Sequence, residues 1–89
     1  MNIMENKRVG LDLENNRYEI IPFIGEHGYE VQVLFNGRPA PWKYSVEINV
    51  AADYEKYIGE DAVDSLIRLA KADILEKRFE PLIRMIQER

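Results

Sequence analysis

Hydrophobic and polar residues alternate along much of the chain up to Val50, which is the period-two pattern of half-buried β-strands. The clearest alternation runs from Tyr29 to Phe35, where every second residue is apolar. Shorter alternations precede and follow it. Together they predict four strands, at residues 9–13, 17–24, 29–35 and from Trp42 or Lys43 to Val50.

Turn residues separate the first three predicted strands from their neighbours. Asn15-Asn16 suits a tight turn because asparagine tolerates a positive φ. The run Gly25-Glu26-His27-Gly28 predicts a four-residue hairpin loop, and Asn36-Gly37 is a strong signal for a type I′ turn.

Prolines place two further segments at an edge or a bulge, because proline cannot donate to a strand ladder. The Ile20-Ile21-Pro22 step predicts a bulge in the second strand. Pro39 and Pro41 exclude a central strand, so residues 38–41 are predicted to form an extended edge segment or a loop.

After Val50 the hydrophobic period changes from two to that of a helix. Asp53 is expected to cap a short helix that ends at Gly59, and Glu60 opens a longer one. The longer helix carries an apolar stripe made of Val63, Leu66, Ile67, Ala70 and Ile74. Glu80-Pro81 predicts a terminal helix and leaves open whether the proline starts a new helix or kinks the previous one.

The element order predicts a single α+β domain over residues 1–89, with residues 1–7 as a frayed tail. Its core is an antiparallel β-meander of three to four strands, followed by two to three C-terminal helices packed on one sheet face. The covered face is expected to carry the apolar residues of the third and fourth strands. The opposite face is expected to be polar, with Glu30, Gln32, Ser45, Glu47 and Asn49.

Composition narrows the function classes. The formal charge is −4, from 16 acidic and 12 basic residues, whereas nucleic-acid binders usually carry a basic surface, so no nucleic acid is expected as a partner. The absence of cysteine excludes disulfides and thiolate metal sites and fits a cytoplasmic location. Without an apolar leader or a long apolar run, neither secretion nor a membrane partner is expected.

Catalytic chemistry has few starting points in this sequence. The single histidine, His27, lies in a predicted hairpin loop, and the only aliphatic hydroxyls, Ser45 and Ser65, lack a glycine-flanked elbow. Glu19, Glu30 and Glu47 could share the polar sheet face but match no metal-binding motif. The glycines form no phosphate-binding loop. No catalytic residue, metal site or cofactor is therefore predicted.

The segment from Arg38 to Tyr44 is the predicted interaction site. It combines stiff prolines, cations and large aromatic side chains, which are frequent at binding hot spots. Its candidate residues are Arg38, Pro39, Pro41, Trp42 and Tyr44. The predicted strand that follows has no proline to blunt its edge, and unprotected edges favour self-association. The predicted terminal helix adds apolar residues beyond what one small sheet is expected to cover, so the sequence leaves open whether the strand edge or this helix forms the contact. We therefore expect a non-enzymatic protein-interaction module that pairs as a homodimer or with another protein.

A second hypothesis comes from a different class of function. A small-ligand or enzymatic domain would have its pocket between the sheet and the helices, and Tyr18, Tyr54 and Tyr57 would be its polar groups. The two hypotheses differ in what they require. The interaction module requires a continuous exposed apolar patch, whereas the ligand site requires a concave pocket with converging polar groups.

Overall fold

The computed structural model describes residues 2–77, without the side chains of Asn2 and Trp42. Its elements in chain order are β1 (Asn2–Ile3), a short 3₁₀ turn (Glu5–Lys7), β2 (Val9–Leu13), β3 (Asn16–Gly25), β4 (Gly28–Phe35), β5 (Arg38–Val46), α1 (Ile48–Ile58) and α2 (Ala62–Leu75). The terminal helix predicted from Glu80-Pro81 lies outside the described residues.

The five strands form one antiparallel sheet. β3 pairs with β4 on one side and with β1 and β2 in succession on the other, and β5 pairs with β4. The two helices follow the sheet and pack against it, and α2 contacts β3, β4 and β5. The predicted α+β class, with an antiparallel meander followed by C-terminal helices, is confirmed.

Pro22 lies opposite the break between β1 and β2. The amide of Met4 donates to the carbonyl of Pro22 at 2.8 Å, so the backbone polar groups of Pro22 point away from β4. The missing N–H therefore removes no bond from the β3–β4 ladder. The predicted bulge at Ile20–Pro22 is absent, because the β3–β4 register runs unbroken from Tyr18–Phe35 to Gly25–Gly28.

The core lies between one face of β3 and β4 and the apolar stripe of α2. Ile20, Val31 and Val33 are completely buried, and the rings of Tyr18 and Phe35 lie 5.3 Å apart at their centroids. From α2 the cluster takes Val63, Ile67, Ala70 and Ile74. The period-two face and the helical stripe therefore meet as predicted, because neither can be buried without the other.

The last of the four predicted strands, which corresponds to β5, ends earlier than predicted. Val46 pairs with Tyr29 at the start of β4, and the chain then turns into α1 at Ile48. Beyond Val46 the partner strand has already turned into the Glu26-His27 loop, so no ladder bonds are available to continue β5. Ile48 and Val50, predicted on the buried sheet face, are instead helical and 54% and 52% exposed.

The chain ends and turns also differ from the sequence-based expectation. Residues 1–7, predicted as a frayed tail, contain β1, which pairs with β3 at Ile24 and Phe23, and the short 3₁₀ turn. The first turn is centred on Glu14-Asn15, both with positive φ, one residue before the predicted position. The second hairpin has a two-residue loop, because Gly25 and Gly28 pair. Asn36-Gly37 forms the expected turn with positive φ at both residues.

The sheet face opposite the helices is more apolar than predicted. Ile21, Phe23 and Leu34 alternate into this face beside Glu30 and Gln32, and Phe23 is only 5% exposed. Glu47 and Asn49 do not contribute to it, because they lie at the start of α1. Among the residues described, no helix is long and apolar enough to cross a lipid bilayer.

Candidate interaction surfaces

The predicted interaction segment is an edge strand rather than a loop. Arg38, Pro39, Pro41 and Lys43 are exposed along β5, whereas Ala40 is buried at 6% exposure. The side chain of Trp42 lies outside the described residues, so its predicted role remains a prediction. The segment therefore offers stiff, partly cationic side chains to solvent.

The backbone of β5 is poorly suited to accept another strand. A register shift opposite Gln32 and Leu34 interrupts the ladder, and the Gln32 side-chain amide donates to the carbonyl of Ala40 at 3.3 Å. In an antiparallel ladder, hydrogen-bonded pairs alternate with non-hydrogen-bonded pairs. Phe35 and Arg38 flank the Asn36-Gly37 turn as a hydrogen-bonded pair, so Leu34 and Pro39 form a non-hydrogen-bonded pair and the nitrogen of Pro39 faces away from β4. Bulges and prolines are common devices for blunting an edge, and only a short stretch at Lys43–Ser45 keeps outward-facing amides.

Tyr44, the last predicted interaction residue, points toward α2. Its hydroxyl donates to Oδ2 of Asp73 at 2.6 Å, and Asp73 is only 7% exposed. This bond ties β5 to the last turns of α2. Its location indicates a structural role for Tyr44 within the fold.

Tyr44→Phe is expected to lower the free energy of unfolding by about 1 to 2 kcal/mol, because a bond to a buried carboxylate is lost. Urea denaturation measures the change. Tyr57→Phe is the matched control, since Tyr57 is 75% exposed, and it should leave stability unchanged. Equal stabilities of the two variants would contradict a structural role for Tyr44.

An exposed apolar surface lies on α1. The positions 50, 51, 54, 57 and 58 fall within an arc of roughly 120° on a helix, so they form one continuous stripe. Of the eleven residues of α1, all of them described, only Ala51 is buried. Val50, Tyr57 and Ile58 are 52%, 75% and 60% exposed. The sequence did not predict this surface, because the alternation from Val46 to Val50 assigned the start of α1 to a strand. The helical spacing i, i+4, i+7, i+8 of Val50, Tyr54, Tyr57 and Ile58 was the signal that could have identified it.

Acidic side chains surround the stripe. All are exposed: Glu47, Asp53, Glu55, Glu60 and Asp61. Glu60 accepts hydrogen bonds from Arg68 at 2.8 Å and from Tyr54 at 3.1 Å, and these contacts hold the pKa of Glu60 below its usual value. The lowered pKa keeps this carboxylate ionised at a lower pH than an ordinary glutamate.

The three tyrosines of the ligand-site hypothesis lie in different surroundings. Tyr18 is buried in the core, the hydroxyl of Tyr54 is within hydrogen-bond distance of Glu60 and Ser65, and Tyr57 is largely exposed. Neither of the two surface cavities described below is lined by a tyrosine. A ligand site built on these residues therefore stays a prediction.

One surface cavity, of about 540 Å³, lies between the 3₁₀ turn and α2. Its cations are Lys7, Arg8, Arg68 and Lys71. Three of these four already pair with carboxylates, at N–O distances of 2.7, 2.9 and 2.8 Å. The remaining positive charge is too small to define an anion site.

The other cavity, of about 640 Å³, lies beside the β3–β4 hairpin and contains His27, Glu26, Glu30 and Lys43. Within residues 2–77, no group of three histidine, cysteine or acidic side chains is placed to hold a metal ion. Both His27 and Glu26 are exposed at the loop tip, a position that does not favour acid–base chemistry.

Within residues 2–77, the fold and these surfaces define a small two-layer α+β protein with an amphipathic helix, α1, whose apolar residues are largely exposed. Comparison with protein-family models, with curated proteins and with solved structures finds no match for this chain. The chemistry of the exposed surfaces is therefore the basis on which a function can be assigned.

Proposed function

We propose that this protein is a non-enzymatic protein-interaction module and that α1 is its partner-binding surface. The observation that supports this is the exposure of Val50, Tyr57 and Ile58 on one helical stripe. Large apolar groups that lie together on a surface and are rimmed by polar residues are typical of protein-binding sites. Tyrosine adds to the case, because it is enriched at binding hot spots.

The stripe is held in place before any partner arrives. Ala51 anchors α1 in the protein, the Glu55 carboxylate accepts a hydrogen bond from the amide of Ala62 at 3.3 Å, and the hydroxyls of Tyr54 and Ser65 lie 2.9 Å apart. These contacts join α1 to α2 and to the turn between them. A surface that is already ordered loses less conformational entropy on binding than a flexible loop does.

The rim defines the chemistry of the partner. Five carboxylates flank α1 and its C-terminal turn, and the one cation on the helix is Lys56. An apolar stripe with an acidic border matches an amphipathic helix whose apolar face is flanked by lysine or arginine. We therefore propose a basic amphipathic helix of another protein as the partner.

A second copy of this chain fits α1 less well. A two-fold axis at Tyr54 would match position 50 with 58 and 51 with 57, so apolar residues would face apolar residues. The same axis would place Asp53 opposite Glu55 of the second copy, and two like charges oppose this pairing. The exposed residues of the Arg38–Tyr44 segment remain a predicted secondary contact, and self-association is proposed on a different surface below.

Binding is tested with two synthetic helical peptides that share a leucine stripe and differ in flanking lysine or glutamate. We expect the lysine peptide to shift the amide NMR signals of Val50, Tyr57 and Ile58, and the glutamate peptide to leave them unchanged. The double variant Tyr57→Ala, Ile58→Ala should lower the affinity for the lysine peptide by about tenfold or more, because two anchor side chains are lost.

Leu75→Ala is the control, because Leu75 is 51% exposed on α2 and its truncation removes exposed apolar area away from α1. It should leave the affinity unchanged. Two results would contradict the proposal: no shift on α1 with the lysine peptide, or equal binding of the two peptides.

A further inference from the structure

The outer edge of β2 differs from the outer edge of β5. Within the part of the chain that the structure describes, β2 pairs with β3 alone. Leu13 and Asn16 flank the Glu14-Asn15 turn, so hydrogen-bonded pairs with β3 fall at Val9, Leu11 and Leu13. The amides and carbonyls of Gly10 and Asp12 therefore point outward, away from the sheet.

β2 lacks the features that blunt the edge of β5. Its sequence, Val-Gly-Leu-Asp-Leu, contains no proline and no lysine, and its register with β3 has no irregularity. Val9, Leu11 and Leu13 pack partly against the core, and these contacts hold β2 in place on the helix-covered face of the sheet. A regular edge of this kind is a template for another strand.

We infer that β2 is the self-association surface and that the β2 strands of two copies pair antiparallel about a two-fold axis at Leu11. Gly10 of each chain then faces Asp12 of the other. Each facing pair exchanges two N–H···O bonds, because both residues present their amide and carbonyl to the same side. The two sheets join into one continuous sheet. This inference uses residues other than those of α1, so it goes beyond the proposed function.

The side chains on the helix-covered face support this register. Leu11 would face its own counterpart, and Val9 would face Leu13 of the second copy. All of these residues are partly buried apolar groups at the edge of the core. An isologous interface needs such self-complementary positions, because each contact is made twice.

Charge on the opposite face supports it as well. The Arg17 guanidinium lies over Gly10, where an ideal Cβ would be only 2.0 Å from Nη2, and it also pairs with Asp12 at 3.1 Å. The proposed register brings Asp12 of the second copy beside Gly10. Arg17 would then lie between two carboxylates, one from each chain, which is a complementary arrangement.

Neighbouring registers lack this complementarity. An axis at Asp12 would place the two Asp12 carboxylates opposite each other. An axis at Gly10 would require the amide of Arg8, which already donates to the carbonyl of Glu5 at 3.2 Å. The Leu11 register satisfies the outward backbone groups without either conflict.

Sedimentation equilibrium at about 100 µM chain tests the inference directly, since weak strand pairing is populated at such concentrations. We expect a species of twice the 10.5 kDa of one chain. Asp12→Pro removes an outward amide without touching the β2–β3 ladder, and it should raise the dissociation constant by about tenfold or more. Ser45→Pro makes the equivalent change on the β5 edge and should leave the dimer intact.

Amide hydrogen exchange of the unmodified protein gives a second readout that does not depend on the variant folding. The amides of Gly10 and Asp12 should exchange about tenfold more slowly when the concentration is raised into the dimer range, whereas those of Lys43 and Ser45 should not change. A monomer at this concentration overturns the inference. So does a dimer in which the Gly10 and Asp12 amides gain no protection. Neither result affects peptide binding on α1, so the two proposals fail separately.

Discussion

Replacing Gly28 by alanine is expected to reduce the free energy of unfolding by about 3 to 5 kcal/mol, which approaches the whole stability of a domain of this size. A Cβ at this position would lie 2.4 Å from the Val46 carbonyl oxygen, 2.9 Å from the Glu47 Cα and 3.0 Å from the Ile48 nitrogen. All three atoms belong to the backbone, so no side-chain rotation relieves the contact. The φ of Gly28 is +123°, which adds strain for any other residue.

Gly59→Ala separates the effect of the backbone contact from the effect of the positive φ. Gly59 also has a positive φ, +83°, but nothing lies within 4 Å of the Cβ that would be added. Its substitution should lower stability by only about 1 kcal/mol, through the backbone conformation alone. Urea denaturation of both variants checks the difference. Similar losses at the two glycines would mean that the chain does not pack β4 closely against the junction of β5 and α1.

Ile20→Ala is expected to lower the free energy of unfolding by about 2 to 5 kcal/mol. Ile20 is completely buried in the centre of β3, so truncation removes apolar contacts and leaves a cavity that the packed neighbours cannot fill. Denaturant or thermal unfolding measures the loss, and the variant should keep a cooperative transition with a lower midpoint.

Ile48→Ala is the matched control for the same chemical change. Ile48 is 54% exposed in the first turn of α1, and alanine has the higher helix propensity, so stability should stay within about 0.5 kcal/mol of the parent. A loss at Ile48 comparable to that at Ile20 would show that β5 continues past Val46 and that Ile48 is part of the core, as the alternation alone predicts.

The α+β class could be predicted because two amphipathic patterns in the chain can bury each other. Tyr29 to Phe35 alternates strictly, and the stripe from Val63 to Ile74 has helical spacing. Burial of one face forces the register of a strand, since a slip by one residue would expose the whole apolar set. Both patterns were sufficient to place Val31, Val33, Ile67 and Ala70 in one core.

The end of the last strand could not be read from its own residues. Val46, Ile48 and Val50 continue the alternation, and their β-branched side chains favour a strand. The strand nevertheless ends at Val46, because Val46 pairs with Tyr29 and only Gly28 precedes Tyr29 in the partner strand β4. The length of a strand is set by its neighbouring strand as much as by local preference. Because β5 ends at Val46, Ile48 and Val50 lie on the surface and not in the predicted core.

The sequence by itself determined which residues are amphipathic partners: the alternating positions of the strands, the apolar stripe of α2 and the turn at Asn36-Gly37. These follow from local periodicity and backbone preference, which act over a few residues. Within residues 2–77, the tertiary structure alone decided which apolar stripe is exposed and which sheet edge has outward-facing backbone groups. Coverage depends on contacts between residues that are distant in sequence, so the surface of α1 and the outer edge of β2 emerge only when the whole chain is folded.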